Sequence, residues 1–392
     1  MNKKKALSYI AIAGAVLFFL VLNEDLNIYK PIEFTSTGST AFYPVYKGAV
    51  HIHTTRSDGS GTIGEIAASA KNTDIDFIVI SDHDAGPIAI EDAGYHEGIL
   101  VLAGSEVSLP QAHILYLPHP DSVFYNLNYV RSNILELKNS AFIAGAHPFL
   151  PKRPVLDGIE FFLDGIEFVN ADVQWRKVSK FKLIEALVAS IFCDHSMNLI
   201  LHYPEESMTM WNRLLTLRDE KSVILGSVDA HANIEITDSW SINFPSYESV
   251  FKLLQTNVVV TEEFNGDYSH DAKLVYNALK NGNSYISFGA FGSTDSFSFS
   301  VETEDSIYTI GDNLNAAADP VLKVSIPCDT QMKINLKSQN GVVKTVEDTG
   351  YLEHRITVPG KYYIEVFLMR NSSFRKDHVL LPWIITNIIS VN

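Results

Sequence analysis

The chain has 392 residues, of which 46% are hydrophobic, and its formal net charge is −16. This length can bury a large core and suggests two domains, and the acidic balance argues against nucleic acid as a main partner. The two cysteines, Cys193 and Cys328, exclude a disulfide framework and a thiolate metal site.

The chain begins with a membrane-like segment. Three lysines at 3–5 precede an uncharged apolar stretch over 6–22, which is long enough for a short membrane span. Two acidic residues follow, so the positive-inside rule places the lysines in the cytoplasm and the bulk of the chain outside. We predict an uncleaved anchor over residues 1–22 and a tether over 23–43. The alternative is a cleaved signal peptide, which would give a secreted protein.

Residues 44–292 are predicted to form the first domain. Short apolar runs alternate there with segments whose apolar residues recur at helical spacing. This alternation predicts a parallel sheet, open or closed into a barrel. The predicted strands are 49–53, 76–80, 99–103, 113–117, 141–144, 165–169, 199–202 and 223–226, and the predicted helices include 63–71, 181–191 and 211–218.

Histidine and acidic residues cluster at the ends of most of these apolar runs. In α/β barrels the carboxyl ends of the strands form the active face, so a barrel would bring these distant residues together. The nine candidate metal ligands are His51, His53, Asp58, His83, Glu106, His113, His147, Asp229 and His231.

The pattern changes to period-two alternation after about residue 292. Apolar residues alternate with polar ones over several short segments, and Asn340-Gly341 is a hairpin-turn signal. We therefore predict that residues 293–392 form an all-β sandwich domain.

The nine candidates suit a multinuclear metal site. His51 and His53 are two apart on a predicted strand, so both can face one cation. Imidazole ligands favour Zn, Mn or Fe over calcium. Glu106 is the natural carboxylate to bridge two ions, and a third ion could take Asp58 with two histidines. We predict two or three divalent ions, which would polarise a phosphoryl oxygen and activate water.

These residues closely resemble the polymerase and histidinol phosphatase (PHP) family of metal-dependent phosphoesterases. The family's hallmarks occur in order as His51-x-His53, Asp82-His83, Glu106, His113, Ala146-His147-Pro148 and Asp229-x-His231. The resemblance covers about residues 44–291 and implies a distorted (β/α)7 barrel with a trinuclear site. It also implies that a metal-bridging hydroxide is the nucleophile. The segment 382–387 resembles a closing strand of larger PHP-type proteins, without the proline expected after Asn387.

The resemblance implies a ligand set for each ion. The first set is His51, His53, Glu106 and Asp229, the second is Glu106, His113 and His147, and the third is Asp58, His83 and His231. Asp58 lies where family members vary between Asp and His. Glu106, Asp229 and His231 are the predicted catalytic residues.

Three arginines are candidates for substrate phosphate binding. Arg56, Arg153 and Arg176 follow predicted strands, and a guanidinium suits bidentate phosphate contact. The alternative for each is an ordinary solvated surface charge.

The sequence therefore predicts a membrane-anchored, extracytoplasmic phosphoesterase. Its substrate would be a small phosphorylated molecule or an envelope phosphoester, cleaved as a monoester or a diester. One alternative is an amidohydrolase, although that class commonly bridges its metals with a modified lysine, and Glu106 occupies the bridging position here. The other is a non-catalytic surface protein whose β domain binds envelope polymer. No oligomeric state is predicted.

Overall fold

The computed structural model describes residues 3–32, 42–83, 92–110, 112–122, 126–150, 158–237, 240–315, 319–326 and 329–392. The helices are α1 Lys3–Ile28, α2 Ile63–Lys71, α3 Leu127–Ser132, α4 Ile134–Leu137, α5 Ala171–Lys177, α6 Lys180–Ala189, α7 Glu205–Leu217, α8 Tyr247–Leu253 and α9 Tyr268–Asn281.

The strands of the first part are β1 Val45–Ile52, β2 Phe77–Ile80, β3 Gly94–His96, β4 Ile99–Ala103, β5 Ser105–Ser108, β6 His113–Pro118, β7 Ala141–Gly145, β8 Gly165–Asn170, β9 Val223–Ser227, β10 Ile234–Thr237, β11 Trp240–Ile242, β12 Gln255–Val259 and β13 Ser284–Ser287. Those that follow are β14 Ser298–Glu302, β15 Ile307–Thr309, β16 Asn313–Leu314, β17 Val321–Ser325, β18 Met332–Ser338, β19 Gly341–Glu347, β20 Tyr351–Arg355, β21 Gly360–Arg370, β22 Val379–Thr386 and β23 Ile389–Val391. The predicted α/β class is confirmed.

Strand β1 connects the two sheets of the first part. It pairs in parallel with β2, which pairs in parallel with β4, and β5 to β9 form a second sheet in chain order. The segment after β9 returns to β1, where the Val228 amide donates to the Val50 carbonyl at 2.9 Å. The Ala230 amide donates to the His51 carbonyl at 3.1 Å, and the His53 amide donates to the Ala230 carbonyl at 3.0 Å. The ends of β1 and β9 therefore meet.

Most predicted elements of this part lie within one or two residues of their positions in the structure, and local chemistry fixes their ends. Helix α2 begins at a capping box, in which the Thr62 side chain accepts from the Glu65 amide and the Glu65 carboxylate accepts from the Thr62 amide. Helix α9 ends at Gly282, whose φ of 74° suits a residue without a Cβ.

The predicted strand at 199–202 is wrong. Leu199 and Ile200 are the last two residues of a 3-10 helix over Ser196–Ile200, and both are buried. Residues 201 and 202 follow that helix. The Asn198 side chain donates to the backbone carbonyls of Tyr29 and Ala290 at 3.0 and 2.8 Å. The run is apolar because it is enclosed by packing, a state that sequence periodicity does not distinguish from a buried strand.

Several strands after residue 293 continue the first sheet. β13 pairs with β22, Tyr285 opposite Thr386, and β21, β18 and β23 extend the same twelve-stranded sheet of the described residues. A separate four-stranded sheet has the order β15-β14-β17-β20, and its Leu322 and Val324 share one apolar core with Leu336. Hydrogen bonds thus cross the predicted boundary at residue 293, and the separate sandwich domain stays a prediction.

Helix α1 is longer than the predicted anchor and contacts the rest of the protein. It continues past residue 22 to Ile28, and the side chains of Leu22 and Ile28 are buried. The Asp25 carboxylate pairs with the Lys182 ammonium group, and the Ile32 amide donates to the Phe291 carbonyl at 2.9 Å. By length and composition α1 could cross a membrane, over Ala11–Ile28. The first described part of the predicted tether is therefore a packed helix end.

Candidate metal centre

The nine predicted metal ligands converge beside the ends of β1, β2, β4, β7 and β9, and Glu106 is the second residue of β5. His113 does not follow the end of a strand, because it is the first residue of β6. β6 runs antiparallel to β5, so His113 lies opposite Ser108, two residues after Glu106 on β5, and His113 Nδ1 is 2.5 Å from Glu106 Oε1. Strand reversal thus brings a residue from the start of one strand to the same edge as residues from the ends of the others.

Three groups of side chains have ligand atoms that all lie within 4.8 Å of one another. They are His51, His53, Glu106 and Asp229; His53, Asp58, His83 and His231; and His83, Glu106 and His113. The first group is the set that the sequence assigned to the first ion. The third differs from the predicted second set, because it contains His83 in place of His147. His147 still lies at the centre, with Nε2 2.8 Å from Glu106 Oε1.

Glu106 is the hub of the cluster. Its buried carboxylate has imidazole nitrogens on both oxygens: Oε1 faces His113 and His147, and Oε2 faces His51 Nε2 at 3.1 Å and His83 Nδ1 at 3.1 Å. Burial alone would raise the pKa of this carboxyl. The charge of His51 and the hydrogen bonds from the histidines instead hold it well below its usual range. Glu106 is therefore an ionised carboxylate that can bind cations through both oxygens.

Three of the nine candidate ligands have left-handed backbone conformations. His51, His147 and Asp229 have φ values of 70°, 28° and 49°, and they belong to a set of eight described non-glycine residues with positive φ. Such conformations cost on the order of 1–3 kcal/mol each and persist where the surrounding structure imposes them, often at functional sites. They turn these three side chains out of the strand direction and toward Glu106.

Glu167 belongs to this site, although the sequence analysis did not select it. It lies in the middle of β8 and is fully buried, and its Oε1 is 2.5 Å from His51 Nδ1. Its Oε2 accepts from the His147 amide and from Asn170 Nδ2, which also donates to Asp229. By holding Nδ1, Glu167 leaves His51 Nε2 directed at the cluster. The available signal was an acid inside an otherwise apolar strand.

Asp82 holds the loop that carries Asp58. Its Oδ1 accepts from the Thr54 amide at 2.7 Å and the Ser57 hydroxyl at 2.6 Å, and its Oδ2 accepts from the Thr54 hydroxyl at 2.8 Å. Asp82 is thus engaged with the loop and orients it. Tyr247 supports the same region from the other side, because its hydroxyl donates to the His53 carbonyl at 2.8 Å.

The donor atoms fit divalent metal ions. His53 Nε2 is buried and makes no hydrogen bond within the described part of the chain, yet it lies 3.3 Å from Asp229 Oδ1 and 3.4 Å from Glu106 Oε2. Burial lowers the pKa of His53 below its usual value, although Asp229 opposes this shift, so the imidazole is neutral and able to ligate. Imidazole with carboxylate is the donor set that Zn, Mn and Fe accept.

A cavity of about 540 Å³ opens beside Asp229 and His231. Arg176, Trp175 and Phe244 line it, and the Arg176 guanidinium pairs with Asp172 one helical turn earlier. Of the predicted phosphate-binding residues, Arg176 therefore lies beside the metal-ligand candidates. Arg56 pairs with Asp92 and does not line the cavity, and Arg153 lies outside the described residues.

No protein-family model and no curated protein matches the sequence. One similar solved structure is a two-domain protein from Bacteroides vulgatus ATCC 8482, described as containing a predicted PHP-like metal-dependent phosphoesterase. The match has 14% identity and a TM-score of 0.42, and covers 90% of this chain and 99% of that one. Another is a proposed metal-dependent phosphoesterase from Bifidobacterium adolescentis ATCC 15703, with 14% identity, a TM-score of 0.30, and coverage of 52% and 95%. This chain is thus similar to solved structures described as metal-dependent phosphoesterases, one of them PHP-like.

Proposed function

We propose that this protein is a metal-dependent phosphoesterase that hydrolyses a phosphomonoester or a phosphodiester at a site for two or three divalent ions. The observation that carries this proposal is a cluster of nine histidine and acidic side chains with the buried carboxylate of Glu106 at its centre. When bound, such ions supply Lewis acidity toward a phosphoryl oxygen and lower the pKa of a water molecule. His51, His53, Glu106 and Asp229 would hold the first ion, and Asp58, His83 and His231 would hold the third. Glu106 and His113, with His147 or His83, would hold the second.

The side chains around this site have distinct tasks. Glu106 and Asp229 neutralise the ions, and Glu167 fixes the orientation of His51 through its Nδ1. His231 lies between the cluster and the cavity and can contact a bound substrate. Arg176 can form charge-assisted hydrogen bonds to phosphate oxygens from the cavity wall. The half-buried rings of Trp175 and Phe244 provide an apolar surface for the group that the phosphate esterifies.

The proposal includes an architecture and a location. In this proposal the part over residues 44–292 is a distorted (β/α)7 barrel, and the hydrogen bonds between β1 and the segment after β9 support its closure. The part over 293–392 is a β-sandwich attached to it. The N-terminal helix anchors the protein in the membrane with the bulk outside the cytoplasm, where a small phosphorylated molecule or an envelope phosphoester is the substrate.

The decisive experiment combines metal analysis with turnover. The full chain, purified in detergent, is assayed for bound metal and for hydrolysis of p-nitrophenyl phosphate and bis(p-nitrophenyl) phosphate. The same assays are run on His51→Ala, on Asp229→Asn and on the control His354→Ala, which alters a histidine on β20. Two or three ions per chain, with activity lost in the first two variants and kept in the control, are expected. Fewer than two ions contradicts the proposal. Bound ions with turnover of amides or lactones in place of phosphate esters favours the amidohydrolase alternative.

A further inference from the structure

Helix α6 exposes large apolar side chains and buries small or charged ones. Phe181, Ile184 and Leu187 on the helix, with Ile191 and Phe192 directly after it, are between 45% and 82% exposed, and we call these five residues the α6 patch. The helix buries Glu185, Ala186 and Ala189. A surface helix in water shows the opposite arrangement, and a continuous exposed apolar surface marks an interaction site.

The α6 patch occupies one side of its helix. Residues 181, 184, 187 and 191 recur every three or four positions, which is the spacing of one helical face. Lys180 is the single exposed charge among the ten residues of α6, all of which the structure describes. Asp194, two residues after Phe192, is also exposed, so the partner that covers this face is apolar, with charges of either sign at its edge.

The α6 patch is continuous with the apolar surface of α1. The Phe181 ring lies 5.9 Å from the Phe18 ring in an edge-to-face contact. The neighbouring α1 side chains Val16, Leu17 and Phe19 are each more than half exposed. Two exposed apolar surfaces therefore meet, and one of them belongs to a helix long and apolar enough to cross a membrane.

The contacts between α1 and α6 fix the orientation of α6 relative to a bilayer that α1 enters. Lys182 on α6 pairs with the Asp25 carboxylate and stands 5.7 Å from the centre of the Tyr29 ring. Leu22 and Ile28 are buried against the protein. Because no free linker separates α1 from α6, a bilayer that receives α1 also meets the start of α6.

The level of the contact between Phe18 and Phe181 agrees with the depth of a helix in the membrane interface. Phe18 precedes the buried Leu22 by four residues, or about 6 Å of helix. Amphipathic helices that lie in a membrane interface bury their apolar face by about 5–10 Å. The level at which α6 meets α1 is thus within this range.

A second segment beside α1, the loop before β22, has the same character. Ser373 donates its amide to the Glu24 carboxylate, which holds the loop before β22 against the helix. The exposed Phe374 and Arg375 of this loop line a cavity of about 280 Å³ beside Val21. Aromatic and cationic side chains around an emerging helix are typical of a membrane–water interface with anionic lipid.

We propose that the α6 patch inserts into the headgroup region of the leaflet from which α1 emerges, so that the protein lies against the bilayer in a fixed orientation. This inference rests on the insertion of α1 and is independent of phosphoesterase activity. It also connects the membrane with the candidate site. The 3-10 helix that follows the α6 patch contributes Met197 and Ile200 to the wall of the cavity beside Asp229.

Spin-label accessibility in lipid nanodiscs tests this orientation. The full chain, with Cys193→Ser and Cys328→Ser, receives one nitroxide at Ile191→Cys in bilayers containing phosphatidylcholine and phosphatidylglycerol. Phe192→Cys is a second site in case the first variant does not fold. Leu17→Cys on α1 reports insertion of the anchor, and Val343→Cys, an exposed apolar position on β19, is the matched control. Collision rates are measured with oxygen, which concentrates in lipid, and with a water-soluble nickel chelate.

The expected oxygen-to-nickel collision ratio is several-fold higher at positions 17 and 191 than at 343. A ratio at 191 equal to that at 343 overturns the proposal, whether or not position 17 is in lipid. Shielding of position 191 from both reagents also overturns it, because that result indicates burial against a second copy of the chain. Turnover is not part of the readout, so failure of the proposed hydrolase leaves this test unaffected.

Discussion

Glu167 shows how much of the site depends on a residue outside the predicted ligand set. Its Oε1 lies 2.5 Å from His51 Nδ1, although the two residues are separated by 116 positions in the chain. Burial would raise the pKa of Glu167, but the charge of His51 lowers it below the usual value, so the carboxylate stays ionised. An ionised partner holds the imidazole in the orientation that directs Nε2 at Glu106.

Replacing this carboxylate should weaken metal binding. We expect Glu167→Gln to lower metal affinity about 10–100-fold, because the amide holds His51 less firmly and makes it a weaker ligand. Competition with a chromophoric chelator measures the affinity. Glu160→Gln is the control, since Glu160 is also buried but accepts from Gly158, away from the cluster. Equal affinities for both variants and the parent would show that Glu167 does not position the ligand.

Metal binding should release protons. Burial lowers the pKa of His231, but the hydrogen bond and charge of Asp58 with the charge of Asp229 raise it to about 9 in the metal-free chain. A protonated imidazole cannot bind a metal, so affinity should increase as the pH rises toward about 9. Calorimetry at pH 7 in buffers with different ionisation enthalpies counts the protons, and His231→Gln should release fewer than the parent. Affinity that is constant between pH 6 and 9 would contradict this linkage.

Arg176 should contribute to substrate binding. Loss of a charge-assisted hydrogen bond to phosphate costs about 1.5–3 kcal/mol, so Arg176→Ala should raise KM about 10-fold or more. Metal content should not change, because Arg176 pairs with Asp172 and does not contact the ligand cluster. Arg213→Ala is the control, since Arg213 stacks on Phe161. Steady-state kinetics on a phosphate ester compares the two variants. Equal KM values would show that Arg176 does not bind the substrate phosphate and is an ordinary surface charge.

At the scale of elements, strand ends were easier to predict than strand partners. The strand at 99–103 and the helix at 63–71 match the structure because hydrophobic periodicity and a capping box are local signals. The reversed direction of β6 has no such signal, since His113 begins a strand that looks like its neighbours. The apolar run at 199–202 predicts a strand, because a short apolar run has the same pattern in a buried strand as in this 3-10 helix.

The end of β22 provides a stabilising link between elements far apart in the chain. Asn387 is buried, and its side chain accepts from the Ile224 amide at 2.8 Å. It donates to the carbonyls of Ile224 and Ser284 at 3.1 and 3.0 Å and to the Ser284 hydroxyl at 2.9 Å. One side chain thus joins the start of β9 to the start of β13. This is the residue that closes the segment 382–387 singled out in the sequence.

Removing this side chain should destabilise the fold. We expect Asn387→Ala to lower the free energy of unfolding by about 2–4 kcal/mol, because it leaves several buried backbone groups without partners. Denaturant unfolding in detergent measures the loss. Asn335→Ala on β18 is the control. The Asn335 side chain accepts one exposed hydrogen bond, from the Thr345 hydroxyl, so its loss should cost less than about 1 kcal/mol. Equal losses would show that Asn387 is not a structural link.

At the scale of the whole molecule, one sheet runs through both predicted domains. The change of pattern near residue 292 is real in the sequence, yet β13 before it pairs with β22 after it. Trp383 is fully buried and donates its indole N–H to the Gly292 carbonyl at 3.2 Å. A boundary inferred from periodicity marks where the local pattern changes and carries no information on pairing across it.

A chain that ends at residue 292 should therefore fail to fold alone. Truncation exposes the edge of β13 and the apolar surface that Trp383 covers, so aggregation is expected. Co-expression of a second fragment over 293–392 should restore a soluble complex on gel filtration. A truncated chain that is soluble and unfolds cooperatively would show that the first part is an independent domain.

The sequence by itself predicted the nine residues of the candidate metal centre, because their positions beside apolar runs and their order, which resembles the PHP motifs, can be read without the fold. It also determined the apolar N-terminal helix, since length and composition are sufficient for that. Tertiary structure alone decided that Glu167 supports His51, that the sheet continues through β22, and that α6 turns its apolar side outward. These features depend on contacts between residues far apart in the chain. Periodicity predicts whether a side chain is buried, whereas the packing of distant segments decides which residues it contacts.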